Sequence, residues 1–546
     1  MSGGRMDGEE DRARERAGHV VIGAGPAGAA AASALARAGI RPLVLDVGLR
    51  LEPGREALRA RMAAGGPESW SRADLALARF RADGANGAGY KQQFGSDYAF
   101  RDDGVLALAS AESERERVGA RVSYALGGLS NVWGAGVLPY TDRDLRGWPL
   151  RAEDLRQGYE AVFSYVPHAG EHDELERRYP FVCEPQGPLL RSELGERLLS
   201  RLRARRAALA RAGVHFGAAR LAVRVGHPAP ERGCAYCGHC LDGCPYDHIY
   251  SARQTITELS RAGAIEYRPG LHVERLHERE GGVEIEAAAT DGGQGARIFA
   301  ERAYLAAGAL SSTFILQRSG LLAEEALLRD SQTLYLPCAW LGGAAADARE
   351  RAYTLAQAFL VVEDERVSSE PVHVSLYTYN DGLAERARAA RPLLSALLGP
   401  TLEAATRRIV VAICFLHSAD SGAVRVRWEG GRRFRLCAVV GERTPLVLAR
   451  LRRALTRALA PAGLLPLPPL AEVAPPGGGY HYGASLPMSA DRAPGGADLL
   501  GRPQGSRRVH VVDSACLPAI PGGTITVTAM ANAHRIADAC AALPSD

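Results

Sequence analysis

No stretch of the 546-residue chain stays apolar for the roughly 20 residues that a helix needs to span a bilayer. Residues 1–17 are charged and carry no apolar run of the kind that directs secretion. Both absences argue against a membrane partner and give the cytoplasm as the expected compartment. Thiols stay reduced there, so disulfides are not expected, and the ten cysteines need another use. A dominant charge is missing too. The 66 basic and 62 acidic side chains leave a net charge of +4, too little to favour a polyanionic partner. Arginine-rich stretches such as residues 201–211 read as a solvated helix face, which argues against nucleic acid. There is no internal repeat. What remains is an ordinary globular composition, 47% apolar and 23% charged, at a length that exceeds one hydrophobic core. Two domains, or one elaborated domain, are expected.

The chain is organised around His19-Val20-Val21-Ile22-Gly23-Ala24-Gly25-Pro26-Ala27-Gly28. An apolar run ends in G-x-G-x-x-G, an alanine-rich helix leads to Gly39, and a second run, Pro42–Leu45, stops at Asp46. Gly23 lets the strand turn sharply, Gly25 lets backbone approach a pyrophosphate, and Gly28 lets the helix pack closely on the sheet. The helix N-terminus offers free N–H groups to phosphate. Asp46 ends the second strand, where a carboxylate accepts both hydroxyls of an adenosine ribose. The expected ligand is a dinucleotide.

Further along, Tyr124 to Gly136 contains Gly127-Gly128, small polar residues and Trp133, a combination suited to close contact with a flat ligand. A helix is expected from about residue 152 to 166, a Pro/His/acid-rich loop over 168–192, and an Arg-rich helix over 193–212. Strands are expected at 264–267, 273–277, 282–286 and 302–310, the last turning into a helix. From about residue 330 the texture changes. Strands are expected at 353–363, 371–379, 409–417, 422–428 and 433–440, with a Glu429-Gly430-Gly431-Arg432 turn and helices at 383–405 and 444–460. Residues 475–479 form a Pro/Gly loop, 509–513 a strand, and 524–542 a closing helix.

These pieces resemble the GMC (glucose–methanol–choline) flavin oxidoreductases. The resemblance lies in the N-terminal fingerprint, the Gly127-Gly128 loop, Leu305–Ala309 and the C-terminal His-loop-Asp-loop-helix. It implies an α/β plus α+β fold: a Rossmann-type FAD-binding domain with a second, substrate domain built on a mostly antiparallel sheet. The FAD domain is expected to be discontinuous, over 18–166, 225–325 and 490–546, with the cysteine loop at 233–252. Residues 167–224 would be an excursion and 326–489 the substrate domain. The resemblance makes Gly23, Gly25, Gly28 and Asp46 the ADP-binding residues and lays Gly128, Ser130 and Asn131 along the flavin. It places Val273 at the adenine, Asp513 at the ribityl or pyrophosphate, and Gly523-Thr524 at a helix N-terminus facing the flavin. Some relatives attach flavin to a histidine in a similar loop. Val132 stands here instead, so FAD is expected to bind non-covalently.

His481, in Tyr480-His481-Tyr482-Gly483-Ala484, matches the family's catalytic histidine. An imidazole is largely neutral at pH 7 and accepts a hydroxyl proton as hydride leaves for flavin. Relatives carry a second His or Asn where this chain has Gly522. His417, Tyr377 and Tyr379 are candidates for the missing group. Cys234, Cys237, Cys240 and Cys244 read C-x2-C-x2-C-x3-C-P, the spacing of ferredoxin-type [4Fe–4S] motifs, with structural zinc or reduced thiols without metal as the alternatives. The fourth ligand is Cys244 or a remote residue such as Cys183. The resulting expectation is an FAD dehydrogenase acting on a CH–OH group of a small molecule (a sugar, a glycoside or a secondary metabolite), with an external electron acceptor and the iron–sulfur cluster as a route for the electrons. Its rivals are a flavin-fold lyase, isomerase or reductase, or a non-enzymatic redox carrier.

Overall fold

The computed structural model describes residues 15–79, 92–101, 107–109, 117–226, 232–347, 350–379, 401, 403–491 and 494–544. Most of the helix expected at 383–405, and parts of the stretch 50–115, lie outside these residues.

The buried apolar run at Val20–Ile22 forms the centre of a parallel sheet. Strand Glu15–Ile22 is flanked by Leu43–Leu45 on one side and Ala296–Leu305 on the other, and Glu266–Arg268 extends the first edge. Strand Ala296–Leu305 splits its outer edge. Its first half pairs antiparallel with Gly282–Ala289 and so with Leu271–Arg279, and its second half pairs parallel with Val509–Val511. The C-terminus thereby completes a sheet that the N-terminus begins. Between the first two strands runs helix Pro26–Arg37, with Pro26 at its start and Ala29 to Ala32 wholly buried. Small residues let the closing helix, Ile525–Ala541, lie against it. On the other side of that closing helix, a Cβ at Gly158 of helix Ala152–Phe163 would stand 2.3 Å from the carbonyl oxygen of Ala531.

The second sheet is antiparallel, in the order Leu464–Pro466, Thr333–Trp340, Ile409–Phe415, Val372–Tyr377, Ala358–Val362, Val214–Ala218. Its period-two alternation separates two environments. Val372, Val374, Leu376, Val410, Ala412 and Cys414 enter a core with helices Glu193–Ala204 and Thr444–Leu459. Phe359, Ser375, Tyr377, Val411, Ile413 and Phe415 point the other way and roof a cavity above the parallel-sheet domain. Part of the 167–224 stretch belongs here. Residues 193–211 form two helices that break at Arg205, and Val214–Ala218 becomes the sheet's edge strand.

The expected hairpin at 422–440 is present as Ala423–Trp428 and Arg433–Val439, turning through Gly430 and Gly431, both at positive φ. It does not join the roof sheet. It forms a third, five-stranded sheet with Glu325–Asp330, Tyr482–Gly483 and Ala107–Ala109. Among the described residues no helix is long and apolar enough to cross a membrane.

Candidate functional site

Two adjoining cavities lie between the sheets. The smaller, 190 Å³, is lined by Gly23, Gly25, Asp46, Gly128, Val273 and Asp513 among others. The larger, 470 Å³, is lined by the loop from Leu129 to Gly136, by Thr524 and Thr526, by the roof residues and by His481. Pro26, Leu129, Tyr480 and Thr526 line both.

The three glycines differ, and Gly28, expected among the ADP-binding residues, stands apart from both cavities. Gly23 has φ +103°, and a Cβ there would meet the Ala306 carbonyl oxygen at 2.5 Å. At Gly28 a Cβ would meet the Gly23 oxygen at 1.9 Å, so this residue serves packing and lines neither cavity. Gly25 differs: nothing lies within 4 Å of where its Cβ would be. That open cradle sits at the N-terminus of helix Pro26–Arg37, with Gly128 (φ +56°) packed over the Gly25 Cα. The arrangement fits a pyrophosphate.

Asp46 accepts hydrogen bonds from the Ala24 N–H (3.4 Å) and the Tyr267 hydroxyl (3.2 Å). Burial nevertheless pushes its carboxyl up to about 7. Two donating ribose hydroxyls would supply what burial removes and hold it ionised. Val273 is buried beside a β-bulge in strand Leu271–Arg279. Asp513 fastens the C-terminal segment to the turn after strand Ala296–Leu305. It accepts from the Gly308 N–H (2.9 Å), the Ser312 hydroxyl (2.5 Å) and the Ala515 N–H (2.9 Å). Burial raises its carboxyl to about 6.

Ser130 and Asn131 line the larger cavity, yet their polar atoms are committed to the protein. The Ser130 hydroxyl donates to the Gly127 oxygen (2.5 Å) and accepts from the Ala252 N–H (2.9 Å). The Asn131 amide donates to the oxygens of Leu126 and Gly128 (both 2.9 Å) and accepts from the Ser251 hydroxyl (2.8 Å). They shape the loop. Thr524 precedes the closing helix, and its Oγ1 accepts from the Leu138 N–H at 2.8 Å. Gly523 does not face the larger cavity. It packs on Tyr140 and borders a narrow void of 10 Å³ instead.

His481 reaches the larger cavity from a constrained loop. Tyr480 (φ +60°) and Ala484 (φ +55°) flank it in the left-handed region, which non-glycine residues occupy at a cost and mostly at functional sites. The His481 oxygen accepts from the Ser331 N–H (2.9 Å), and its ring stacks on Phe415 with centroids 4.8 Å apart. Of the candidate partner groups, only Tyr377 lines this cavity. A Cβ at Gly134 would stand 2.8 Å from its hydroxyl oxygen. His417 borders the narrow void with Asp144 and Glu370, and Tyr379 packs against the helical core of the second sheet. Gly522 has no room for a side chain, because its Cβ would meet the Phe415 oxygen at 2.4 Å. The roof hydroxyl of Ser375 was not legible in the sequence. Alternation in Val372–Tyr377 marks two faces without saying which is covered.

The cysteine loop opens onto the same cavity through Cys240 and Cys244. The Thr354 and His248 N–H groups point at their sulfurs, both at 3.4 Å. Burial raises all four thiols, and Cys240 adds to the rise at Cys234, Cys237 and Cys244, so the four are neighbours. They do not converge on one centre: among the described residues no three His, Cys, Asp or Glu side chains are arranged to hold a metal ion. The structure therefore gives the expected zinc or iron–sulfur site no support from geometry. Cys183 is a free thiol and joins no such group.

The architecture and the cleft together define a two-domain protein with a Rossmann-type nucleotide fold beneath an antiparallel roof. No family model matches the sequence, and no curated protein matches it. Among solved structures, the chain is similar to the crystal structure of pyridoxine 4-oxidase from Mesorbium loti. The TM-score is 0.57 with 16% sequence identity, over 95% of this chain and 98% of that one. At that identity the likeness establishes the fold, and the fold is the class expected from the motifs.

Proposed function

We propose that this chain is an FAD-dependent oxidoreductase that oxidises a CH–OH group of a small molecule. The observation that carries the reading is the meeting, in one cavity, of His481, the Leu129–Gly136 loop and Thr524 at the start of the closing helix, directly beside the glycine cradle. The shared fold with a protein named as an oxidase supports it. FAD, held without a covalent link, would supply a two-electron hydride acceptor. Gly23, Gly25 and the first helix N-terminus would hold its pyrophosphate, Asp46 its ribose, Val273 its adenine, and the Gly128 loop its ring. Asp513 would keep the Gly308 turn in place beneath it.

His481 accepts the hydroxyl proton. Its stacking on Phe415 and the anchored loop backbone fix the ring relative to the roof. Phe359, Val411, Ile413 and Phe415 exclude water and favour an apolar secondary-metabolite hydroxyl over a sugar or glycoside. An external electron acceptor is the expected partner. The cysteine spacing alone supports a [4Fe–4S] assignment to Cys234, Cys237, Cys240 and Cys244. No step of the reaction is drawn through it, because the thiols do not converge.

Gly522 favours a second reading, a lyase, isomerase or reductase on the same fold. Anaerobic mixing of FAD-loaded protein with a panel of alcohols separates the two. Loss of the oxidised-flavin absorbance supports alcohol oxidation. Its persistence, with turnover of another kind, supports the rival.

A further inference from the structure

We propose that Ser375, held by the buried ring of His373, is the second group that hydrogen-bonds the reacting hydroxyl, in the place where position 522 has no side chain. The inference rests on the alcohol-oxidising reading above for the identity of that hydroxyl. Strand Val372–Tyr377 directs His373, Ser375 and Tyr377 to the roof face, and its register with the neighbouring strand sets their order. His373 stands opposite Phe415, Ser375 opposite Ile413 and Tyr377 opposite Val411. Because Phe415 is the residue that stacks on His481, Ser375 is the roof hydroxyl on this strand nearer to the proton acceptor. Tyr377 lies two residues, about 7 Å, further along, with its hydroxyl against Gly134.

Ser375 is also preorganised. His373 Nε2 and Ser375 Oγ are 3.0 Å apart, and His373 is only 2% exposed, wedged edge-on against Phe359 at 4.8 Å. A buried imidazole spends a polar atom on Ser375 although its other nitrogen, Nδ1, has no partner among the described residues. Leaving one buried nitrogen without a partner is costly, and the polar contact the ring does make is the one to Ser375. Burial, with His481 adding to it, keeps the ring neutral at working pH by pushing it down to about 3. Neutral His373 therefore orients Ser375 and adds no charge to the cavity. Ser375 gives up no proton in the oxidation. It stabilises the oxygen while the hydroxyl proton passes to His481 and the electron pair leaves with the hydride. The apolar roof around it assigns the substrate class: an alcohol on an apolar or aromatic body.

The test uses the full chain with two probes, benzyl alcohol and toluene, whose affinities are compared by calorimetry alongside anaerobic flavin reduction by benzyl alcohol. Wild-type protein should bind benzyl alcohol more tightly than toluene. Ser375→Ala should lose about 3–10-fold of that hydroxyl-dependent preference while toluene affinity stays unchanged, and Ser375→Thr should restore it. Flavin reduction in Ser375→Ala should slow about 10²-fold. His373→Phe should reproduce the Ser375→Ala loss, His373→Asn should recover part of it, and His373→Phe added to Ser375→Ala should change nothing further. Equal probe preference in wild type and Ser375→Ala overturns the proposal, as does a wild type that binds the probes alike or binds neither. A preference that Ser375→Ala abolishes, in a protein whose flavin benzyl alcohol never reduces, keeps Ser375 as the hydroxyl ligand and overturns the oxidation reading instead.

Discussion

Gly25 and Gly28 are three residues apart in one motif, yet alanine should act on them in opposite ways. At Gly28 the added Cβ would stand 1.9 Å from the Gly23 oxygen, against a backbone atom that cannot swing aside. The helix and the strand turn must part by more than an ångström, at about 1–3 kcal/mol for overpacking. Up to about 1 kcal/mol returns from alanine's higher helix propensity. Gly25→Ala meets nothing within 4 Å, so stability should change by less than about 1 kcal/mol. The same methyl, however, fills the cradle at the helix N-terminus, and FAD affinity should fall at least about 10²-fold, close to 3 kcal/mol. Urea unfolding of the nucleotide-free protein measures the first effect, and equilibrium dialysis with FAD the second. A Gly25→Ala variant that binds FAD as wild type does, or a Gly28→Ala variant as stable as wild type, would refute these separate roles.

Asp330 is fully buried, has no ion-pair partner among the described residues, and is pushed up to about 7 by burial. A carboxyl raised in the folded state holds its proton there when the unfolded chain has released it, so stability should fall as pH rises from about 4 to about 7. Asp330→Asn should be more stable than wild type at pH 8, with the gap closing towards pH 4 in thermal melts. Asn placed at Gly522 should cost about 1–3 kcal/mol in urea unfolding and restore no rate, because its Cβ runs into the Phe415 carbonyl. If the cysteine spacing reports a cluster, anaerobically purified protein should carry about four iron and four sulfide per chain. Cys240→Ser should lower both, and iron-free wild type would remove the cluster.

Much of the fold was legible because its signals are local. The strand-turn-helix at Val20 to Gly28 has steric demands that only small residues meet, and the alternation in Ile409–Phe415 reports a sheet with two different faces. Pairing across the chain left no such trace. Val214–Ala218 joins Ala358–Val362 across about 140 residues, and the Ala423–Val439 hairpin chose Glu325–Asp330 over the roof, choices set by tertiary packing. In the site, Ser130 and Asn131 line the cavity, but small polar side chains in a tight loop satisfy backbone first. His417 looked like a roof residue because it follows a roof strand, and the chain turns there, so that its Nδ1 accepts from the Ala419 N–H at 3.0 Å. Ser375 and His373 carry no motif. Only the layer stacked beneath the sheet separates them from ordinary surface positions.

On the proposed mechanism, His481 takes the hydroxyl proton while the flavin is held in the glycine cleft. Stopped-flow anaerobic reduction of FAD-loaded wild type and His481→Ala by benzyl alcohol tests it most directly. The variant should retain its flavin and reduce about 10²–10⁴-fold more slowly. Reduction at the wild-type rate, or protein that takes up no FAD, would contradict the claim.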